Sequence, residues 1–355
     1  MILTTSDVYM LVWSLMNVAL CFNIKRNHPS TDPALQKDAE FDSPETIVAI
    51  TNALRSGNHN VTEIEADENV YIKLKELRNS IDIVFNIAEG IYGDAREAQV
   101  PTICDILQIP YTHSSTLTCA IQLDKAFTKK ILIYHSIPTP KFQLFSNPNE
   151  TLDKELKFPL FLKPNSQGSS MGIRNENLVE NVQQLKKRIS WEFKEYRNQV
   201  LVEEYLPGRE FTVSLLGNPP TILPIIEQRL DHLPKGYAPF SSYDVKWLWE
   251  DTLVDKTQAY DCPARLSPQL QNSIESICSS TFHILGIRDI ARVDVRLDKD
   301  GNPYILEINA LPGLMPDIMG ISYFPISAQA AGYSYNQTIL KILDVAAKRL
   351  GIISK

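Results

Sequence analysis

Apolar positions in the first third of the chain come in short runs separated by stretches of helical spacing. Asn17 to Ile24, Val61 to Ile64 and Ile81 to Ile87 read as short apolar strands. Between them, Ser43-Pro44-Glu45 starts a helix with a capping serine and a first-turn proline, and Gly57 closes it after Leu54. Arg96 to Gln108 is helical, with Pro101 expected as a kink. Strands alternating with helices predict a parallel sheet covered by helices, whose ligands bind beyond the carboxyl ends of the strands. That rule directs attention to Asn86 to Asp94, a polar loop containing Glu89 and Gly90; no GxGxxG occurs. Residues 119 to 136 are expected to form one amphipathic helix burying Ala120, Leu123, Phe127, Ile131 and Tyr134, with Lys125 off the buried stripe. A proline-rich linker, Ile137-Pro138-Thr139-Pro140, follows it, and a domain boundary is expected near residue 118.

In the last third the period changes to two. Ala291 to Leu297 and Pro303 to Asn309 alternate apolar and polar residues around Asp300-Gly301, a strong two-residue hairpin signal. Counting outward from that turn sets Asp294 opposite Glu307 and Arg292 opposite Asn309, all on one face, with facing Cβ atoms about 5 Å apart. Two carboxylates that close repel unless something positive lies between them. A solvated hairpin face balanced by Arg296 and Lys299 is the plainer alternative. The added neutral oxygen of Asn309 instead suits magnesium, a hard cation that completes its octahedron with phosphate and water. A calcium loop at Asp298, Asp300 and Asn302 fails, because Pro303 stands where that loop needs glycine and its last position lacks a glutamate.

Composition narrows the field. The chain has 355 residues, 44% of them apolar, enough for two or three domains. A net charge of −7 argues against a nucleic-acid footprint. Val8 to Leu20 is too short to span a bilayer and lacks the basic leader of a signal peptide, so no membrane partner is expected. Residues 1–15 read as an extension ahead of the first strand, with Met16 an alternative start. Cys21, Cys104, Cys119, Cys262 and Cys278 are odd in number and lack CxxC spacing, as expected of reduced core thiols in a cytoplasmic protein without structural zinc.

Two further stretches carry chemistry. The apolar run Phe158 to Leu162 ends in Lys163 and enters Asn165-Ser166-Gln167-Gly168-Ser169-Ser170-Met171-Gly172, a loop whose amides and hydroxyls can wrap phosphate oxygens. It is not a Walker loop, since no Gly-Lys-Ser/Thr follows, and a plain flexible connection is the alternative. A cation at the end of an apolar strand needs an anion, which favours phosphate. Next, Val200 to Ser214 reads as two strands around a Leu206-Pro207-Gly208 bend, where exposed backbone can read an adenine edge. Glu203 can accept from the adenine amino group and Glu210 from ribose hydroxyls; each can equally be solvated. Residues 224 to 262 form a connection long enough to be a functional loop. Helices are expected from about 267 to 285, closed by Gly286, and from 335 to 350, started by Ser334.

The glycine-serine loop, the run Glu204-Tyr205-Leu206-Pro207-Gly208-Arg209-Glu210-Phe211 and the stretch from Arg292-Val293-Asp294 to Glu307-Ile308-Asn309 occur in an order that resembles the ATP-grasp superfamily. Within it the chain is similar to the D-alanine:D-alanine ligases, over roughly residues 17 to 350. The resemblance implies an α/β fold: a Rossmann-like N-terminal domain (1–118), a central ATP-grasp domain (119–212) and a C-terminal catalytic domain (213–355), with ATP between the last two sheets. It implies Lys125 and Lys163 as phosphate lysines, Ser169 and Ser170 as the lid over the phosphates, and Lys246 as the γ-phosphate contact. Glu203 with the Glu204, Tyr205 and Leu206 backbone resembles the adenine clamp, and Glu210 the ribose acceptor. Asp294, Glu307 and Asn309 match ligands of two magnesium ions, for which manganese can substitute, and Arg292 with the Gly313 amide matches an oxyanion pair. The implied reaction forms an amide through an acyl phosphate, with amino-acid substrates and a homodimer as family features.

Departures fall on substrate recognition. A family tyrosine that bonds to a glycine-loop serine and an N-terminal glutamate is Trp247 here, and that glutamate has two neighbouring candidates, Glu40 and Asp42. The family His-Gly is Glu89-Gly90, and the Ser-Leu pair expected to hold the second substrate's carboxylate reads Ile318-Met319. Three functions stay open at this point: a ligase of two small amino acids, a ligase of another acid and amine by the same mechanism, and a nucleotide-binding protein without ligase activity.

Overall fold

A computed structural model describes residues 15–352 apart from 29, 31, 33–35, 37, 197, 231, 232, 317 and 318. Ile318 and all but the last residue of the expected extension 1–15 therefore lie outside the described residues.

The first sheet contains β1 (Asn17–Phe22), β2 (Asn60–Glu65) and β3 (Ile83–Asn86), all parallel in the order β2-β1-β3. The expected helix forms at Pro44–Ser56, where the Ser43 side chain accepts from the Thr46 amide (3.2 Å). Helical residues in the 96–108 region begin as a 3₁₀ turn, Arg96–Ala98, and continue as Gln99–Leu107. Pro101 sits in the first turn of that helix, where its missing N–H costs nothing, and so marks a start rather than a kink.

The single helix expected over 119–136 is two, Thr116–Leu123 and Lys125–Tyr134, hinged at Asp124, whose side chain accepts from the Phe127 amide (2.8 Å). The break turns the second helix so that Phe127 and Tyr134 face solvent, while Lys125 and Lys129 are buried. Buried acids on neighbouring strands, described below, outweigh the apolar stripe in setting that face.

The second sheet, in the order β4-β7-β5-β6, is antiparallel and contains β4 (Phe142–Phe145), β5 (Leu160–Pro164), β6 (Leu178–Val179) and β7 (Val200–Glu204). The third contains β8 (Glu210–Gly217), β9 (Pro220–Ile222), β10 (Ile226–Gln228), β11 (Tyr260–Asp261), β12 (Ile290–Leu297) and β13 (Pro303–Asn309). Its order is β11-β10-β8-β12-β13, with β9 also paired to β8. The Leu206-Pro207-Gly208 bend carries the chain from one sheet to the other, so the cleft between them opens there. A Cβ on Gly208 would lie 2.6 Å from the Leu297 carbonyl oxygen, so only glycine permits the approach.

The β12–β13 hairpin pairs Asp294 with Glu307 and Arg292 with Asn309, as expected. The route differs. Its turn spans Asp298 to Asn302, with the Asp298 amide donating to the Asn302 carbonyl (2.9 Å), so Leu297 faces Pro303. A bulge between Asp294 and Val295 on one strand and Glu307 and Ile305 on the other then restores the count. The bulge puts Leu306 on the cleft wall beside Glu307, a position strict alternation denies it.

Asp289 ties the first sheet's segment to the third. Fully buried, it takes two hydrogen bonds from Arg349 (2.8 Å each) and one from the His113 amide (2.7 Å). Asp289→Ala should lower stability by roughly 3 kcal/mol, as removing one partner of a buried pair does. A chemical-denaturation midpoint measures it; an unchanged midpoint would show the tie to be incidental.

Candidate active site

Five neighbouring strands in two sheets project their polar residues into one cavity of about 280 Å³. On the third sheet, adjacent rows across β8, β12 and β13 bring Glu210 beside Arg296, Thr212 beside Asp294 and Glu307, and Ser214 beside Arg292 and Asn309. Period-two alternation points all of them to the cleft.

Each carboxylate there has a cation. Arg296 bonds Glu210 (2.7 Å), Arg292 bonds Asp294 (3.1 and 3.3 Å), and Lys125 pairs with Glu307 (3.0 Å). Glu203, on β7, takes Lys163 (2.6 Å) and Lys129 (2.8 Å) on its two oxygens. Burial would raise the Glu203 carboxyl, but the two lysines outweigh it and hold it below the usual range. Glu307 behaves alike, through Lys125 and Lys163. Burial pushes Glu210 up, only partly offset by Arg296. Lys246 is pushed down to about 8 by burial and then by Arg292, and Lys129 also to about 8, by burial.

Thr212 donates to Asp294 (2.9 Å) and the Asn309 amide reaches it at 3.3 Å. Two carboxylates and an amide oxygen on one strand pair are the donor chemistry of a hard cation that keeps phosphate and water ligands. Among the described residues no three His, Cys, Asp or Glu cluster closely enough to hold a metal unaided.

The glycine-serine loop is drawn in from three sides. Gly168 donates to Glu40 (2.7 Å), the Trp247 indole donates to the Ser169 carbonyl (3.0 Å), and Ser170 donates to the Ser241 carbonyl (3.1 Å). Ser169 and Ser170 both have left-handed backbone, φ 49° and 58°. Of the two candidates left open near the N-terminus, Glu40 reaches the loop, and Arg96 holds it at 2.5–2.9 Å. At one end of the cavity Tyr205, Leu206, Phe161, Phe240 and Leu306 supply apolar walls, with Glu204 beside them. Arg296 also donates to the Tyr205 hydroxyl (2.9 Å).

The other end is acidic. Glu89 lines the cavity with Glu40 and Glu97, and burial followed by Glu97 drives the Glu89 carboxyl well above its ordinary range. Glu97, which accepts from Gln122, is pushed to about 8 by burial. Gly313 lines the same cavity, and Ser322 donates to its carbonyl (2.8 Å).

Of the expected substrate pair Ile318-Met319, Ile318 lies outside the described residues, and three groups that sequence reasoning missed join the site. Among the described residues the wall beyond Gly313 is Met315, Ile321, Ser322 and Tyr323, and Met319 is not part of it. Ser322-Tyr323 opens the helix Tyr323–Ala330, a start with no capping bond, which is why no helix signal drew attention to it. Lys129 was missed because a lysine on a short helix reads as solvated; its signal is its place one turn after Lys125. Phe161, Phe240 and the bulged Leu306 read as ordinary core or loop. Arg96 and Glu97 lay within an expected helix and drew no notice.

Replacing Glu203 leaves two lysines buried against each other. Glu203→Gln should therefore cost roughly 3–5 kcal/mol. The deficit should shrink as pH rises toward about 8: without Glu203, which favours charged Lys129, the variant sheds that proton at lower pH, and the wild type sheds it only near 8. Thermal melts at pH 7 and pH 9 check both; a deficit independent of pH would contradict the pairing.

A family model described as "D-ala D-ala ligase C-terminus" matches residues 131–344. The chain is 33% identical over 321 residues to a D-alanine–D-alanine ligase of Pelotomaculum thermopropionicum, covering 87% of this chain and 93% of that one. It is 34% identical to the uncharacterized protein y4sG of Sinorhizobium fredii, covering 85% and 87%. The crystal structure of D-alanine–D-alanine ligase from Bacillus anthracis superposes with TM-score 0.71 at 26% identity, over 95% of this chain and 99% of that one. With the fold, the two-sheet cleft and these relationships together, the chain belongs to the D-alanine:D-alanine ligase family of ATP-grasp enzymes and is an ATP-dependent ligase.

Proposed function

We propose that this enzyme joins two small amino acids, D-alanine foremost, by activating the carboxylate of the first as an acyl phosphate. The observation that carries the reading is the row Arg292, Asp294, Glu307 and Asn309 on one face of β12 and β13, in one cavity with Lys163, Ser169, Ser170 and Lys246. The γ-phosphoryl of ATP passes to a carboxylate oxygen and ADP leaves; an amine then attacks the carbonyl carbon, the amide forms, phosphate departs, and the amine gives up a proton.

Asp294, Glu307 and Asn309 are the residues that would hold magnesium, one ion or two. Bound there, the ion supplies charge neutralisation to an anion attacking an anion. The protein's own groups do the rest. Lys125 and Arg292 now neutralise Glu307 and Asp294, so any cation accepted by those carboxylates frees both side chains to turn toward substrate oxygens. Lys163 and Lys246 meet the transferring phosphoryl, and Ser169 and Ser170 cover it. Arg292 with the Gly313 amide takes the developing oxyanion, where one lost donor costs about 3 kcal/mol. Trp247, bonded to the phosphate loop, closes the lid against water, which acyl phosphates do not survive.

A specific observation supports a second reading, the same chemistry on another acid and amine. Glu89 and Glu97 add carboxyl groups to a cavity where a small amino acid presents one ammonium, and Met315, Ile321 and Tyr323 add bulk to its lining.

Purified enzyme with ATP, magnesium and D-alanine should release phosphate and give a dipeptide by mass; release only with another acid-amine pair selects the second reading, and none with any pair refutes both. Asp294→Ala and Glu307→Gln should each abolish turnover, and an unchanged rate would remove the metal assignment. Lys246 titrates near 8 without ligand, and phosphate beside it favours the protonated form. ATP affinity should then fall above pH 8 with proton uptake on binding, seen as buffer-dependent heat in calorimetry; equal heats in all buffers would contradict it.

A further inference from the structure

The phosphate loop is held at its far end by a buried network that belongs to neither the lid nor the N-terminal segment. The Asn177 side-chain amide donates to two carbonyls at once, Leu162 (2.8 Å) and Gly172 (2.9 Å), and lies 3.0 Å from Glu192. Leu162 immediately precedes Lys163, and Gly172 ends the glycine-serine loop, so one amide ties the cationic strand end to the loop. Arg188 adds a second donor to the Gly172 carbonyl (2.9 Å) and binds Glu192 at 2.8 and 3.1 Å. Asn177 and Glu192 are fully buried and Arg188 nearly so.

We propose that Asn177, with the Arg188–Glu192 pair behind it, is a positioning residue that fixes the spacing between Lys163 and the phosphate-covering amides of the loop.

Three features support it. An apolar contact would hold this short loop with fewer buried polar groups; a triad of Asn, Arg and Glu carries a desolvation cost that stability alone does not recover. Gly172 has φ +77°, and a Cβ there would lie 2.6 Å from Pro164, so the loop end is closely confined while its carbonyl accepts from Asn177 and Arg188. The network also lies wholly within residues 162–192, whereas Glu40 and Trp247 reach the loop from other segments. The contacts that set the loop end therefore involve neither the lid nor the N-terminal segment, as electrostatic preorganisation requires. The Arg188 guanidinium stacks on Trp191, its carbon 3.8 Å from the ring centroid, which fixes the fork.

This inference rests on the ligase reading, and it makes a distinction that a merely structural role does not. The loop covers terminal phosphates, so its misplacement weakens ATP and spares AMP. Calorimetric titration of the full chain with a non-hydrolysable ATP analogue and with AMP, both with magnesium, measures the ratio. Asn177→Leu, of similar size, should weaken the ATP analogue roughly tenfold, the scale of one buried hydrogen bond, while AMP stays within about twofold. Arg188→Met with Glu192→Met removes both charges together, strands neither, and should shift the same ratio even if Asn177→Leu does not fold. An unchanged ratio in either variant, with the wild type binding ATP, overturns the network alone. Failure of the wild type to bind the ATP analogue overturns the ligase reading and takes this inference with it.

Discussion

Four carboxylates converge on one cleft, and the structure holds together there because each is answered by a cation. Glu203 meets Lys129 and Lys163, Glu210 meets Arg296, Asp294 meets Arg292, and Glu307 meets Lys125. Like charges at these separations would repel by several kcal/mol in a partly buried site. The compensation also does mechanical work: Lys125 reaches from its helix to β13, and Lys129 from the same helix to β7, so one short helix is clamped to both sheets. Unpaired, the acids would drive the two sheets apart; paired, they leave a face rich in both signs of charge, suited to a metal and a polyphosphate together.

The hairpin was legible to a large degree, and instructively so. Counting from Asp300-Gly301 gave the pairing of Asp294 with Glu307, yet the turn is longer than two residues and a bulge at Leu306 cancels the offset. The hydrophobic pattern fixes faces strongly, since a one-residue slip would bury Glu307 in the apolar underside. It fixes turns weakly, because the Asp298 side chain accepts from the Asp300 and Asn302 amides and so stabilises a wider loop. Caps were equally plain: Ser43 and Ser334 cap the helices they were expected to start, and Ser267 caps the helix expected from about 267.

The rest was hidden where partners are distant in sequence. Nothing near Lys129 announces that its charge is wanted by Glu203, 74 residues on, so it passed as a surface lysine. Glu40 and Asp42 sit in an irregular stretch, and only the fold shows that Glu40 reaches Arg96 and Gly168. Ser322 and Tyr323 were hidden for a related reason: beyond Gly313 the loop has no periodicity, so a position count had nothing to anchor the residues that line the cavity there. Asn177 and Arg188 had no signal at all, because a buried polar network looks like surface polarity until its acceptors are known.

The proposed chemistry depends on a metal held at the face shared by β12 and β13, and diffraction can reach it directly. Crystals grown with manganese and a non-hydrolysable ATP analogue should give anomalous peaks between Asp294, Glu307 and Asn309 and the terminal phosphates, with the adenine between the second and third sheets. Manganese bound elsewhere, or a nucleotide outside that cleft, would contradict the account.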